Sequence, residues 1–293
     1  MKKICFLLVV SLVLCLVSCT QTPAQTSSVE MPYPVTVRDI ELLEKPDRVV
    51  SLSPWISKMM YELGLSGALV GVSDYCEVKY VDKMGIPENP DIEAIIKAEP
   101  DFVLISQEIT DEAREFFSKN NIPVYSIKAP STLNELIGIF SDLVTIFEGK
   151  TDGLLRGQAI AEEIIYKANK LNEILAPQEK RVLFCVDEEF YITGDTILGD
   201  VIRTIGLTNA AEDFTNYVIP KEELKKLSYD LLILDEKSAV TDDDATEIRV
   251  DTQKITSLTP SFLDEFAVLV GGIDLITPPV SSESISSDEV SSQ

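Results

Sequence analysis

The chain has 293 residues and a formal charge of −24, long enough for one large or two ordinary domains. A surface this acidic repels phosphate backbones and excludes nucleic acid as a partner. Histidine is absent, which excludes a Ser-His-Asp triad, a Cys-His dyad and every His-ligated zinc or haem site.

Residues 1–19 begin with Lys2-Lys3, continue as an apolar run from Ile4, and end Leu16-Val17-Ser18-Cys19. A short basic start, a hydrophobic stretch of this length and small residues at the break make an export signal. The run is too short for a comfortable membrane span. Its last four residues resemble the bacterial lipobox, so Cys19 is expected to be acylated and to become the new N-terminus. Residues 20–33 are Thr-, Gln-, Ser- and Pro-rich and read as a flexible tether. The protein is therefore expected to be exported and held by lipid at Cys19 on a periplasmic or outer membrane face.

Beyond the tether, weak alternation over 33–40 predicts an edge strand and 49–52 the first core strand. An amphipathic helix runs to about Leu63, followed by a strand at 69–72. A short helix is predicted at 92–98, strands at 102–105 and 124–127, and helices at 111–119 and 133–147, the latter closed by Gly149. Residues 151–175 read as one long helix with Thr151 as N-cap, Asp152 in the first turn and Pro177 as its stop. Leu154, Ala161, Ala168 and Leu175 recur every seven residues, with Ile164 and Leu171 on the same face. At 1.5 Å per residue the segment spans roughly 37 Å, the length of a strut along two lobes. Gly153 and Gly157 are its weakest points for rigidity. After it come predicted strands at 182–186, 231–234 and 248–250 and helices at 198–205, 222–227 and 260–270. A turn holds Asp242-Asp243-Asp244, and a Ser- and acid-rich tail at 277–293 is expected to be disordered.

The two sides of the strut match in order. Arg48-Val49-Val50-Ser51-Leu52 leads to Gly64-Leu65, as Arg181-Val182-Leu183-Phe184-Cys185 leads to Gly206-Leu207. Pro90-Asp91-Ile92-Glu93 leads into Pro100-Asp101-Phe102, as Pro220-Lys221-Glu222 leads into Tyr229-Asp230-Leu231. Alternating strands and helices argue for α/β architecture with mainly parallel sheets. The expected division is 34–149 for an N-terminal lobe, 150–176 for the connecting helix and 177–276 for a C-terminal lobe. The second lobe is trimmed, since only about a dozen residues separate the strand ending at Leu234 from the one at Ile248.

Ligands bind open α/β sheets at the carboxyl ends of strands. Here those ends carry Ser53-Pro54-Trp55, Tyr75-Cys76, Ser106-Gln107, and the loop Asp187-Glu188-Glu189 with Phe190 and Tyr191. Aromatic loop tips suit a large, partly planar ligand, although Trp55 and Tyr75 serve equally well as packing residues and Tyr191 sits in a strand-like alternation. Cys76 and Cys185 are the thiols left after processing, one per half, and are expected to be buried and unbridged. With no CxxC, no metal site is expected. Glu188 and Glu189 raise a carboxylate hydrolase reading, but adjacent residues on an extended segment face opposite ways. Glu93 and Glu222 sit near helix N-termini, where a carboxylate is favoured, one in each half.

The segments Arg48-Val-Val-Ser-Leu-Ser-Pro54, Leu63-Gly-Leu65, Val70-Gly-Val-Ser-Asp-Tyr75 and Pro100-Asp-Phe-Val-Leu-Ile105 resemble the substrate-binding proteins of ABC importers for cobalamin, iron-siderophores and haem. The resemblance is strongest from Pro34 to Ser131, continues through the strut and is weaker from Arg181 to Leu234. It implies two Rossmann-like lobes with mainly parallel sheets joined by one long rigid helix, and a ligand held between them. It implies ligand contacts from Ser53, Pro54, Trp55, Tyr75, Cys76 and the loop from Asp187 to Tyr191. It further implies that Glu93 and Glu222 dock onto arginines of the membrane permease. The chain departs from the family at Ser57-Lys58, where Thr-Glu is usual, and at Glu77-Val78-Lys79, where an Asp-Tyr-Pro run is common. Of the tyrosines, Tyr75 or Tyr80 is placed to meet a haem. The expectation is a monomeric, non-enzymatic binding protein without a cofactor of its own, whose ligand itself contains iron or cobalt. The alternatives are a carboxylate-based surface glycan hydrolase and a surface interaction protein that has lost transport.

Overall fold

The computed structural model describes residues 31–106, 109–187, 189–242 and 244–271. Cys19 and its export signal, most of the tether, Gln107, Glu188, Asp243 and the tail lie outside the described residues. The chain enters through a hairpin of β1 (Val35–Val37) and β2 (Ile40–Leu42). One edge strand is predicted there; Arg38, at φ 55, instead turns the segment back on itself.

The first lobe follows as β3 (Val49–Ser51), α1 (Pro54–Glu62), β4 (Leu69–Val72), β5 (Asp82–Lys83), a small hairpin of β6 (Gly85–Ile86) and β7 (Asn89–Pro90), α2 (Ile92–Ala98), β8 (Phe102–Ile105), α3 (Asp111–Lys119) and β9 (Val124–Ser126). Its sheet has the order β5-β4-β3-β8-β9, parallel throughout. Every residue of β3 and β8 is buried, as expected of central strands covered on both faces. Next come α4 (Leu133–Glu148) and α5 (Asp152–Leu175), which meet through Gly149 at φ 88.

The second lobe contains β10 (Arg181–Asp187), β11 (Phe190–Tyr191), α6 (Ile197–Thr204), β12 (Thr208–Asn209), α7 (Lys221–Leu224), β13 (Leu231–Asp235), β14 (Thr246–Val250) and α8 (Thr252–Thr256). The predicted last helix at 260–270 is a 3₁₀ segment, Phe262–Val270. Strand order is β11-β10-β13-β14, with β12 also on β10, and only β11 runs antiparallel. Parallel β13 and β14 are joined without a helix among the described residues. Arg249 ties that connection down by donating to the Ser238 carbonyl at 2.7 Å and the Val240 carbonyl at 3.1 Å.

The repeat seen in the sequence has a physical origin. Asp101 accepts from the Arg48 amide at 3.0 Å, and Asp230 accepts from the Arg181 amide at 2.9 Å. The Arg48 side chain donates to the Ala98 and Glu99 carbonyls that end α2, and the Arg181 side chain donates to the Ser228 carbonyl at 3.0 Å. Each Arg-Asp pair thus locks the start of one central strand to the start of its neighbour. Gly64 and Gly206 close α1 and α6 with φ 68 and 91, left-handed positions that favour glycine.

The strut is tied at both ends. Toward the first lobe, Arg156 pairs with Glu148 and donates to the Leu63 carbonyl at 2.6 Å. Toward the second, Lys167 lies between Glu163 and Asp264, each at 2.7 Å, and Asn172 donates to the Thr204 carbonyl at 2.9 Å. The Leu133 amide adds a bond to Asp200 of α6 at 2.9 Å. One continuous apolar core runs from Phe102 and Phe140 through Ile164 and Leu171 to Phe184 and Ile202, so the lobes share packing behind the strut.

Two expectations for this helix are corrected. Thr151 is in helical geometry and its side chain makes no cap bond. Leu154 is 56 % exposed, whereas Gly153 and Gly157 are buried. A Cβ on Gly153 would stand 2.5 Å from the Thr145 Cα, and one on Gly157 would stand 3.1 Å from the Ser141 Oγ. The glycines are the contact points that let α5 lie against α4, not weak points. Among the described residues, no helix is long and apolar enough to cross a membrane.

Candidate functional site

In both lobes the chain leaves the first central strand toward one side of the sheet and later builds on the other: β3 lies between β4 and β8, and β10 between β12 and β13. That arrangement opens a crevice at the strand carboxyl ends. Two sizeable cavities lie there. The first, about 530 Å³, has Pro54, Trp55, Lys58, Tyr61 and the segment Tyr75-Cys76-Glu77-Val78 on one wall, and Gln253, Thr256 and Ser257 on the other. The second, about 490 Å³, is formed by Val186, Asp187, Asp235, Glu236, Lys237 and α8 with its cap Asp251. Gln253 and Thr256 line both. A smaller apolar recess of about 230 Å³ continues past Thr256 to Phe190, Ile192 and Tyr217. The cleft thus draws side chains from both lobes.

Trp55 is half-buried, packs on the shared core and also lines the first cavity, so the packing and cleft roles coincide. Tyr75 is 57 % exposed over the same cavity. Pro54 and Cys76 join them, Asp187 faces the second cavity, and Phe190 lies at the recess. Other expected residues stand apart. Ser53 is fully buried, and its hydroxyl finds no hydrogen-bond partner. Tyr191 packs in the outer core of the second lobe, where burial and then the neighbouring Cys185 push its phenol pKa up. Ser106 is half-buried and lines none of these cavities. Tyr80 is fully exposed and belongs to a separate cavity beside β5.

Beneath Trp55 lies a knot of small polar groups. Ser57 donates toward Ser51 at 2.8 Å and the Ser53 carbonyl at 2.9 Å, while the Cys76 thiol approaches Ser57 at 3.4 Å. Lys83 donates to the Cys76 carbonyl. Burial raises the Cys76 pKa against the opposing pull of Ser57 and Lys83, so the sulfur stays a neutral thiol. Cys76 and Cys185 are both buried and unbridged. In the second cavity, Asp235 accepts from the Thr252 hydroxyl at 2.6 Å and from the Lys237 amide at 2.9 Å, and these bonds hold its carboxyl below the usual pKa. Among the described residues, no group of three or more His, Cys, Asp or Glu side chains is arranged to hold a metal ion.

The reading by strand ends missed Asp235-Glu236 at the end of β13 and Asp251 with α8 after β14, although the same rule points to both. Lys58, Tyr61 and Glu77 were missed because they lie one turn or one residue beyond the motif residues.

Glu93 and Glu222 are exposed and occupy the second position of α2 and α7. Each helix feeds the strand paired with its lobe's first central strand, so its N-terminus stands at the carboxyl edge of the sheet. Glu222 also pairs with Lys225 at 3.4 Å.

Comparison with known proteins agrees with this architecture. The model of a family described as periplasmic binding protein matches residues 49–252. An uncharacterised ABC transporter substrate-binding lipoprotein of Bacillus subtilis, YvrC, is 28 % identical over 223 residues, covering 69 % of each chain. A cobalamin-binding protein of Halobacterium salinarum is 25 % identical over 210 residues, 66 % of this chain but 56 % of that protein. Among solved structures, the haem-binding protein HutB of Vibrio cholerae aligns with TM-score 0.62 at 21 % identity, over 76 % of this chain and 98 % of its own. The vitamin B12-binding protein BtuF of Vibrio cholerae aligns with TM-score 0.61 at 16 % identity, over 78 % and 96 %. Identities this low show a common fold.

Proposed function

The chain belongs to the periplasmic binding protein family, and from that premise we propose that it is a lipid-anchored solute-binding protein. It captures an iron chelate or a corrinoid between its lobes and delivers it to an ABC permease, with no catalytic step. The observation that carries this reading is the first cavity, walled by both lobes beyond the strand ends and lined by Trp55 and Tyr75. The Bacillus relative, named as a substrate-binding lipoprotein, supports the anchor at Cys19; the halobacterial one, named as cobalamin-binding, supports the ligand class.

Glu93 and Glu222 serve as the docking carboxylates. They stand at matching positions of the two lobes, on the edge from which a ligand would be handed over. The direct test is mass spectrometry of material that copurifies with the mature chain, together with thermal shift against cobalamins, ferric siderophores and haemin. Absence of binding to all three classes refutes the proposal. In cells, Glu93→Lys with Glu222→Lys should abolish uptake while leaving binding by the purified protein intact. A surface protein that has lost transport would show no uptake to lose.

A further inference from the structure

The cleft walls carry an unbalanced charge. Glu77 lines the first cavity beside Lys58, whereas Asp187, Asp235, Glu236 and Asp251 line the second with Lys237. Among the described residues no arginine lines either cavity or the apolar recess, so these walls lack the planar fork that recognises carboxylates and similar oxyanions. Histidine is absent from the chain. The acidic groups are also fixed in their acceptor role. Asp235 receives the Thr252 hydroxyl and the Lys237 amide, and Asp251 receives the amides of Gln253 and Lys254 at the start of α8. Their remaining lone pairs suit donors, and their charge repels anions. The first cavity, which shares Gln253 and Thr256 with the acidic one, offers apolar and aromatic surface in Trp55, Tyr61 and Tyr75.

We propose that this cleft selects by charge, accepting a neutral or cationic chelate whose rim carries amide N–H donors and rejecting chelates that bear carboxylate or catecholate charge. Asp187, Asp235, Glu236 and Asp251 are the discriminating side chains. The inference rests on the reading of the cleft as a ligand site and narrows the ligand class. A corrinoid, with its carboxamide rim, and a cationic ferric hydroxamate fit these walls. A tris-catecholate iron chelate does not, and neither does haem, whose propionates would face Asp235 and Glu236. A ligand charge in contact with these walls lies within a Debye length of them, where such repulsion is not screened away.

The test is calorimetric titration of the mature chain with four probes: cyanocobalamin, ferrioxamine B, ferric enterobactin and haemin. The first two should bind, and the last two should bind at least about a hundredfold more weakly. Asp187→Asn combined with Glu236→Gln should then strengthen binding of the anionic probes, about tenfold for each carboxylate removed. Neither residue contributes to the buried core, so the variant should fold, and an unchanged melting temperature checks this. An anionic probe that binds wild type as tightly as cyanocobalamin overturns the charge selection and leaves the binding function standing. So does a double variant that preserves the original order of affinities. If no probe binds, the binding function and the inference fall together.

Discussion

Replacing Gly153 by alanine sets two physical effects against each other. Alanine is favoured over glycine inside a helix by about 1 kcal/mol, so on propensity alone the change stabilises the strut. The added Cβ, however, would stand 2.5 Å from the Thr145 Cα and 2.7 Å from the Val144 carbonyl oxygen. Both are backbone atoms of α4 and cannot move aside by changing rotamer, so the two helices must separate. Overpacking of this kind costs about 1–3 kcal/mol, and a backbone clash belongs at the upper end, for a net loss of about 1–2 kcal/mol. Gly157 provides the internal control. Its added Cβ meets Ser141 Oγ and Cα at 3.1 and 3.2 Å, a gap that a few tenths of an ångström relieves. Gly157→Ala should therefore lie within about 1 kcal/mol of wild type. For a domain this size the Gly153→Ala deficit corresponds to a lowering of the melting temperature by about 2–8 °C, readable by circular dichroism. If Gly153→Ala melts at or above wild type, the close helix contact is not what the glycine provides and the reasoning fails.

Three further outcomes follow from the same geometry. Lys167→Met should destabilise by about 1–2 kcal/mol, because the ion pairs to Glu163 and Asp264 tie the strut to the 3₁₀ segment, while both orphaned carboxylates can still reach water. Burial lowers the Lys167 pKa, but these carboxylates more than offset it. Its stabilisation is complete below the ordinary lysine value of 10.5 and is lost as pH rises through the raised one; alkaline melts of wild type and variant should therefore converge. Asp235 has the opposite sign. Its depressed pKa gives stability that is present above 3.8 and is lost as pH falls through the folded value, so the melting difference between wild type and Asp235→Ala should shrink below about pH 4. Solution scattering with and without a bound chelate should show the radius of gyration changing by less than about 1 Å; a larger closure would mean that the strut bends.

Much of the architecture was legible because parallel strands and their helices write strong patterns. The strands at 69–72 and 102–105 and the helices at 92–98 and 111–119 fall where periodicity put them. The matched Arg48/Asp101 and Arg181/Asp230 pairs exist because each locks the same joint in its lobe. Less legible was whatever depends on close approach. A seven-residue spacing led to Leu154, but the buried face at that end is made by Gly153 and Gly157, since only a missing side chain lets two helix backbones approach this closely. The cleft was half legible. Ser53 to Trp55 and Tyr75-Cys76 follow strands with clear signatures, whereas α8 has five residues and too little periodicity to announce itself. Whether Ser53 faces the cleft or the interior is set by the turn into α1, which composition does not encode.

The strut and the cleft constrain one another. Because α5 is tied to the first lobe through Gly153 and Arg156, and to the second through Lys167 and Asn172, it behaves as part of both lobes and not as a hinge between them. The shared core and the Leu133–Asp200 bond resist shear in the same sense. A protein that closes widely around its ligand selects through contacts formed late, during closure. One that barely moves has to carry its selectivity in the open state, in walls already shaped and charged. The fixed acceptor geometry of Asp235 and Asp251, in a cavity that adjoins the one lined by Trp55 and Tyr75, meets that requirement, and it places the burden of ligand choice on wall chemistry more than on motion.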